Sequence, residues 1–162
     1  MNQITTQYVT ENGACYEQYV ITDPAAKTSL TITPERGGMI TGFTLDGDEY
    51  IWTRRPNFSE CNRPRFGVPV LFPSSSNPDG GVHNYDGKAY PKETPGITDQ
   101  CARDEESVGP DGVTLALEST PLTKFLYPFD FTLLVNYNLE GNKAAISLTV
   151  INEGDKPMPF SF

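Results

Sequence analysis

The residues best equipped for ligand chemistry in this sequence cluster in Asn62-Arg63-Pro64-Arg65-Phe66-Gly67. The Arg65 guanidinium presents a planar fork of donors suited to hydroxyl or phosphate oxygens. Asn62 and Arg63 are weaker versions of the same idea, and the Phe66 ring could stack on the C–H face of a bound molecule. Arg65, Phe66 and Asn62 are therefore the candidate substrate-binding residues. A surface arginine or a structural ion pair accounts for Arg65 equally well on residue type alone. Trp52, Phe72 and Tyr90 share the capacity to stack, but aromatic residues with strand periodicity are ordinarily core payload. The single histidine, His83, could serve as a general acid near neutral pH, yet no partner flanks it, and it is expected as an exposed hairpin side chain. None of the 21 acidic residues is marked by a motif, and no nucleophile elbow accompanies the histidine, so no catalytic residue is assigned. Cys15, Cys61 and Cys101 are odd in number and lack Cys-x-x-Cys spacing, which argues against a disulfide framework or zinc site and for buried or incidental thiols. The acidic stretch 93–106 lacks the spacing of a calcium loop and is expected as a solvated loop, so no metal is assigned.

These groups need a scaffold, and composition says which kind. At 162 residues with 14 Gly and 14 Pro, residues 1–162 are expected to form a single, turn-rich domain with a real core. A net charge of -9 repels phosphate backbones and anionic lipid, which excludes nucleic acid and membrane surfaces as partners. The N-terminus lacks a basic region followed by an apolar run, and no stretch of 18 apolar residues occurs, so a soluble cytoplasmic protein is expected.

Apolar residues recur with a period of two at Tyr19–Ile21, Leu30–Ile32, Val113–Leu117, Phe129–Val135 and Ile146–Ile151, which predicts strands. Turn signals separate them at Glu11-Asn12-Gly13, Thr22-Asp23-Pro24, Arg36-Gly37-Gly38, Asp46-Gly47, Asn77–Gly81, Asp86-Gly87, Pro110-Asp111-Gly112 and Glu140-Gly141-Asn142. No window of 11 or more residues carries a helical stripe, so the fold class is all-β, an antiparallel β-sandwich. Residues 57–107 are the least regular, broken by Pro64, Pro69, Pro73, Pro78, Pro91 and Pro95. Long irregular loops on a β scaffold tend to carry function, which places a site there.

Six segments occur in a telling order: Pro34-Glu35-Arg36-Gly37-Gly38, Asp46 to Trp52, Arg65 to Pro73, Tyr85 to Tyr90, Tyr127-Pro128-Phe129 and Pro157-Met158-Pro159-Phe160. Together they resemble the aldose 1-epimerase, or galactose mutarotase-like, family over nearly the whole chain. The resemblance implies a partial galactose mutarotase-like supersandwich with a sugar across one concave sheet, Arg65 at the sugar site, and no metal or organic cofactor. Family members interconvert the α and β anomers of an aldose: a carboxylate takes the anomeric proton while a histidine protonates the ring oxygen. The family's principal histidine and its glutamate would fall beyond Phe162, and a second family histidine is matched by Pro95, which has no titratable group.

Further departures are Phe66 where the family has glycine, Arg103 where it commonly has tryptophan, and Ser74-Ser75-Ser76 where small apolar residues or glycine are common. They read as a remodelled, wettable N-terminal half. The expectation is a carbohydrate-associated scaffold, catalytically inactive on its own, with a monosaccharide or sugar phosphate as ligand. The alternative is an aldose 1-epimerase completed by a second chain. A partial sandwich exposes sheet edges, which predicts a homo-oligomer.

Overall fold

The computed structural model describes residues 1–52, 66–75, 81–91, 96–98, 104–110 and 112–161. Strands β1 (Gln3–Glu11), β2 (Ala14–Asp23), β3 (Thr28–Thr33), β4 (Met39–Leu45) and β5 (Asp48–Glu49) form one antiparallel sheet in chain order. A second sheet runs β11-β10-β9-β8, built from β8 (Asp104–Gly109), β9 (Gly112–Glu118), β10 (Phe131–Glu140) and β11 (Lys143–Asn152). Between them in sequence lies a separate hairpin, β6 (Val82–Tyr85) and β7 (Lys88–Pro91). Every pairing among the described residues is antiparallel, and the chain is an all-β sandwich as the alternation predicts.

The turns do what their residue types allow. Asn12 and Gly13 both take positive φ (50° and 80°) between β1 and β2, and Asp86 and Gly87 (49° and 74°) repeat this between β6 and β7. Two consecutive positive-φ residues match the right-handed twist of the strands they join. Gly67 is required for a different reason: at φ 71° an added Cβ would lie 2.5 Å from the Ile40 carbonyl oxygen. The two backbones touch there because Val68 pairs with Ile40 through reciprocal N–H···O bonds of 2.9 and 3.1 Å.

β10 shows why the two sheets adhere. Phe131, Leu133, Val135, Tyr137 and Leu139 alternate inward at 0–3% exposure, while Thr132, Leu134, Asn136 and Asn138 on the other face are half-buried. Val113, Leu115 and Leu117 of β9 extend this inner layer, and Tyr19, Ile21, Leu30 and Ile32 of the opposite sheet close over it. Each such aliphatic side chain contributes about 1.5–3 kcal/mol by leaving water. Polar contacts pin one sheet to the other: the Tyr137 hydroxyl donates to the Gly38 carbonyl, and Thr28 Oγ1 donates to Gly141 O at 2.8 Å.

The expected strands at 19–21, 30–32, 113–117 and 146–151 lie inside β2, β3, β9 and β11. The strand expected from Phe129 begins at Phe131, because Pro128 and Phe129 turn a corner first. Asp104 to Glu106, expected in a solvated loop, are exposed but belong to β8, whose pairing with β9 supplies backbone bonds that the acidic side chains do not oppose. A short helix, α1 (Pro121–Leu126), falls below the length a periodicity search detects. It is capped reciprocally, Thr123 N–H donating to Thr120 Oγ1 at 3.2 Å and Thr120 N–H to Thr123 Oγ1 at 2.7 Å. Among the described residues no helix is long and apolar enough to cross a membrane.

Leu133 sits at the centre of the shared layer with no exposure. Leu133→Ala is expected to cost about 2–5 kcal/mol in urea unfolding followed by far-ultraviolet circular dichroism. A loss below about 1 kcal/mol would mean that the layer is not packed as described.

Candidate functional site

One concavity combines aromatic faces with charged groups. It encloses about 650 Å³ and is lined by Asn84, Tyr85, Asp86, Lys88 and Tyr90 of the hairpin, Pro128 and Phe129 of the corner before β10, and Lys156, Pro157 and Pro159 of the segment after β11. That volume lies within the usual range of small-molecule sites.

Three elements converge to build it. In the hairpin, His83 is opposite Tyr90 and Tyr85 opposite Lys88, so these four side chains share one face. Tyr85 turns its ring edge-on to Phe129, with centroids 5.2 Å apart, and lies 6.0 Å from Tyr127. Tyr127 is 1% exposed and ties the corner to the core through Phe72 and Phe131, both at 5.8 Å. The third wall is held from two sides: the Tyr127 hydroxyl donates to Pro159 O at 2.9 Å, and Asn152 Nδ2 donates to Lys156 O at 2.9 Å. Lys156 Nζ then closes the rim by donating to Asp86 Oδ2, joining residues 70 apart in sequence.

The electrostatics follow from this clasp. The hydrogen bond from Lys156, and then its charge, hold the Asp86 carboxyl below its ordinary 3.8; the same two effects of Asp86 raise the Lys156 ammonium above 10.5. Burial pushes the Tyr85 hydroxyl up, so it stays a neutral donor and acceptor over the physiological range. At neutral pH the clasp therefore presents a carboxylate and an ammonium, and Tyr85 a phenolic hydroxyl, beside aromatic faces.

The sequence candidates are distributed differently. Arg65, Asn62, Arg63, Pro95 and Arg103 lie outside the described residues, as do Cys61 and Cys101. Phe66 is 6% exposed and packs against Met39, with Tyr16 beside it. The close backbone approach that its bulk would obstruct is made one residue later, at Gly67. Phe72 is fully buried and Trp52 is 66% exposed, while Tyr90, half-buried, is the one of the four stacking candidates that lines the cavity. His83 lies in the hairpin as expected but is half-buried, its ring stacked on Tyr85 at 5.7 Å and 12°. Cys15 is exposed. Glu105 accepts from the Tyr19 hydroxyl, and among the described residues no cluster of three His, Cys, Asp or Glu side chains could hold a metal.

Sequence reasoning missed Asp86, Lys156 and Phe129. Tyr85-Asp86-Gly87-Lys88 carried a turn signal, and only the fold brings Lys156 to it.

The chain matches no protein-family model and, compared by sequence, no curated protein. Solved structures do match. Slr1438 protein from Synechocystis sp. PCC 6803 superposes with a TM-score of 0.84 at 27% identity, over 99% of this chain and 55% of that one. A galactose mutarotase-like protein from Lactobacillus casei ATCC 334 gives 0.73 at 24% identity, over 96% and 47%. The fold is galactose mutarotase-like. A galactose mutarotase-like protein from Clostridium acetobutylicum, at 17% identity, agrees in fold with a TM-score of 0.78 over 98% and 51%. The chain thus spans about half the length of the solved structures it matches.

The clasp has a defined pH window. Asp86's share is present above 3.8 and is lost as pH falls through its depressed value. The share of Lys156 is present below 10.5 and is lost as pH rises through its elevated value. Asp86→Asn is expected to return the Lys156 pKa to the ordinary lysine range, read from the pH dependence of its side-chain NMR resonances. An unchanged titration would show that the pair does not form in solution.

Proposed function

We propose that this chain is a carbohydrate-associated module whose cavity seats a monosaccharide or sugar phosphate. Tyr90 and Phe129 offer faces for the C–H surface of the sugar ring, Asp86 and Asn84 accept from its hydroxyls, and Lys88 and Lys156 suit a phosphate group. The observation that carries this reading is the combination, around one 650 Å³ cavity, of aromatic faces with an ion-paired carboxylate. A fold shared with galactose mutarotase-like proteins supports the same ligand class by analogy. Arg65, Asn62 and Phe66 are the second candidate set for the sugar.

On its own the chain binds without exchanging anomers. General acid–base catalysis favours groups whose pKa lies near the working pH. Asp86 is pushed down and Lys156 up, each away from neutrality, so the pair orients hydroxyls rather than relaying protons. The single imidazole of the sequence is stacked on Tyr85. An aldose 1-epimerase completed by a second chain is the alternative.

Titration of the labelled protein with galactose, glucose and glucose 6-phosphate is expected to move the amide resonances of Asn84 to Tyr90 and Phe129. Tyr90→Ala should weaken binding about tenfold, in line with loss of one stacking aromatic. Shifts abolished by Arg65→Ala and not by Tyr90→Ala would transfer the site to the Asn62–Phe66 segment. No shift with any of the three would refute binding. Optical rotation of freshly dissolved α-glucose should relax at the buffer rate, and acceleration by this chain alone would refute the inactive reading.

A further inference from the structure

The inner face of the second sheet is unevenly covered. Ala144, Ile146, Leu148 and Val150 of β11 stand directly opposite Leu139, Tyr137, Val135 and Leu133 of β10, so both rows point inward. The β10 row is at most 3% exposed, whereas Ile146 and Leu148 are 41% and 38% exposed. β2 and β3 lie against β10, and β2 against β9, whereas among the described residues β11 packs chiefly against β10. What remains is an apolar groove of about 340 Å³ between Ile146 and Leu148 on one side and Pro69, Val70 and Leu71 on the other.

Among the described residues the outer edge of β11 is also undefended. It is ten residues long, contains no proline, carries one charged residue, Lys143, and among the described residues pairs with β10 alone. Natural edge strands usually carry charges, prolines or bulges that prevent pairing.

The sequence of this edge is complementary to itself. An antiparallel pairing of β11 with its own copy, about a two-fold axis through Leu148, sets Leu148 against Leu148, Ile146 against Val150 and Lys143 against Glu153. This register preserves the inward row of each copy on the same face, which a one-residue slip would not. It makes one continuous apolar stripe from Ile146, Leu148 and Val150 of both chains. Glu153 is placed to take part, because its N–H donates to the Asp130 carbonyl at 2.9 Å and extends the β10–β11 register past Asn152. Lys143 joins none of the ion pairs among the described residues, and both it and Glu153 are exposed.

We propose that a second copy of this chain pairs along β11 in this register, joining two four-stranded sheets into one and sealed at each end by a Lys143–Glu153 ion pair. The interface is isologous, so each substitution acts twice. It depends on the fold and not on the carbohydrate reading.

Sedimentation velocity of the 162-residue chain, at physiological ionic strength with reductant to silence the exposed Cys15, is expected to give a concentration-dependent dimer of the 17.9 kDa protomer. Leu148→Lys should abolish it while circular dichroism shows the fold retained. Lys143→Glu should weaken it roughly tenfold through two like-charge contacts, and the double variant Lys143→Glu/Glu153→Lys should restore it. If Leu148→Lys unfolds the protein, the charge exchange alone decides. A monomer at every concentration overturns the proposal. So does a dimer indifferent to Leu148→Lys, or one that the charge exchange fails to rescue.

Discussion

The inward row of β10 is the constraint on which the rest of the molecule depends. Its five alternating side chains are buried because β9 and β11 flank the strand while β2 and β3 lie over it. The Tyr137 hydroxyl, bonded to Gly38 O, fixes how one sheet sits on the other. The corner Tyr127-Pro128-Phe129 feeds directly into this strand, so one wall of the cavity inherits the rigidity of the most buried element. The irregular stretch before the hairpin is anchored to the same layer through Phe72, whose ring lies 5.1 Å from Phe131. Among the described residues, these segments are held to the core at their aromatic residues.

Legibility in the sequence tracked burial. Strands with one fully buried row, such as β3 and β9, announced themselves by alternation, and the Asn12-Gly13 and Asp86-Gly87 turns by residue type. β1 did not, because none of its residues is fully buried and its threonines and glutamines carry no apolar period. β8 was hidden by its acids, since backbone pairing to β9 sets its conformation whatever its side chains are. The cavity was the least legible part. Its decisive contact joins Asp86 to Lys156, and no local pattern encodes a contact made by two loops meeting. Phe66 illustrates the converse: its residue type alone does not reveal that its ring packs against Met39.

Three of the cavity's polar groups, Asp86, Lys156 and Tyr85, are stabilised in their charged or neutral forms rather than poised between them. Asp86 and Lys156 reinforce each other's charge, and Tyr85 is kept protonated by burial. Groups fixed in this way keep one donor and acceptor pattern across a wide pH range. A similar fold in longer proteins is compatible with quite different chemistry, since a scaffold does not determine the groups placed on it.

The one tryptophan of the sequence, Trp52, is 66% exposed, whereas Tyr127 and Tyr137 of the inner layer are fully buried. Its carbonyl accepts from Gly67 N–H at 3.1 Å, which couples the indole's backbone to the segment that leans on β4. Emission from this indole is consequently a reporter of that peripheral segment, and stays blind to loosening between the sheets until the whole molecule opens. The tyrosine bands of near-ultraviolet dichroism, from Tyr127 and Tyr137, watch the interior instead.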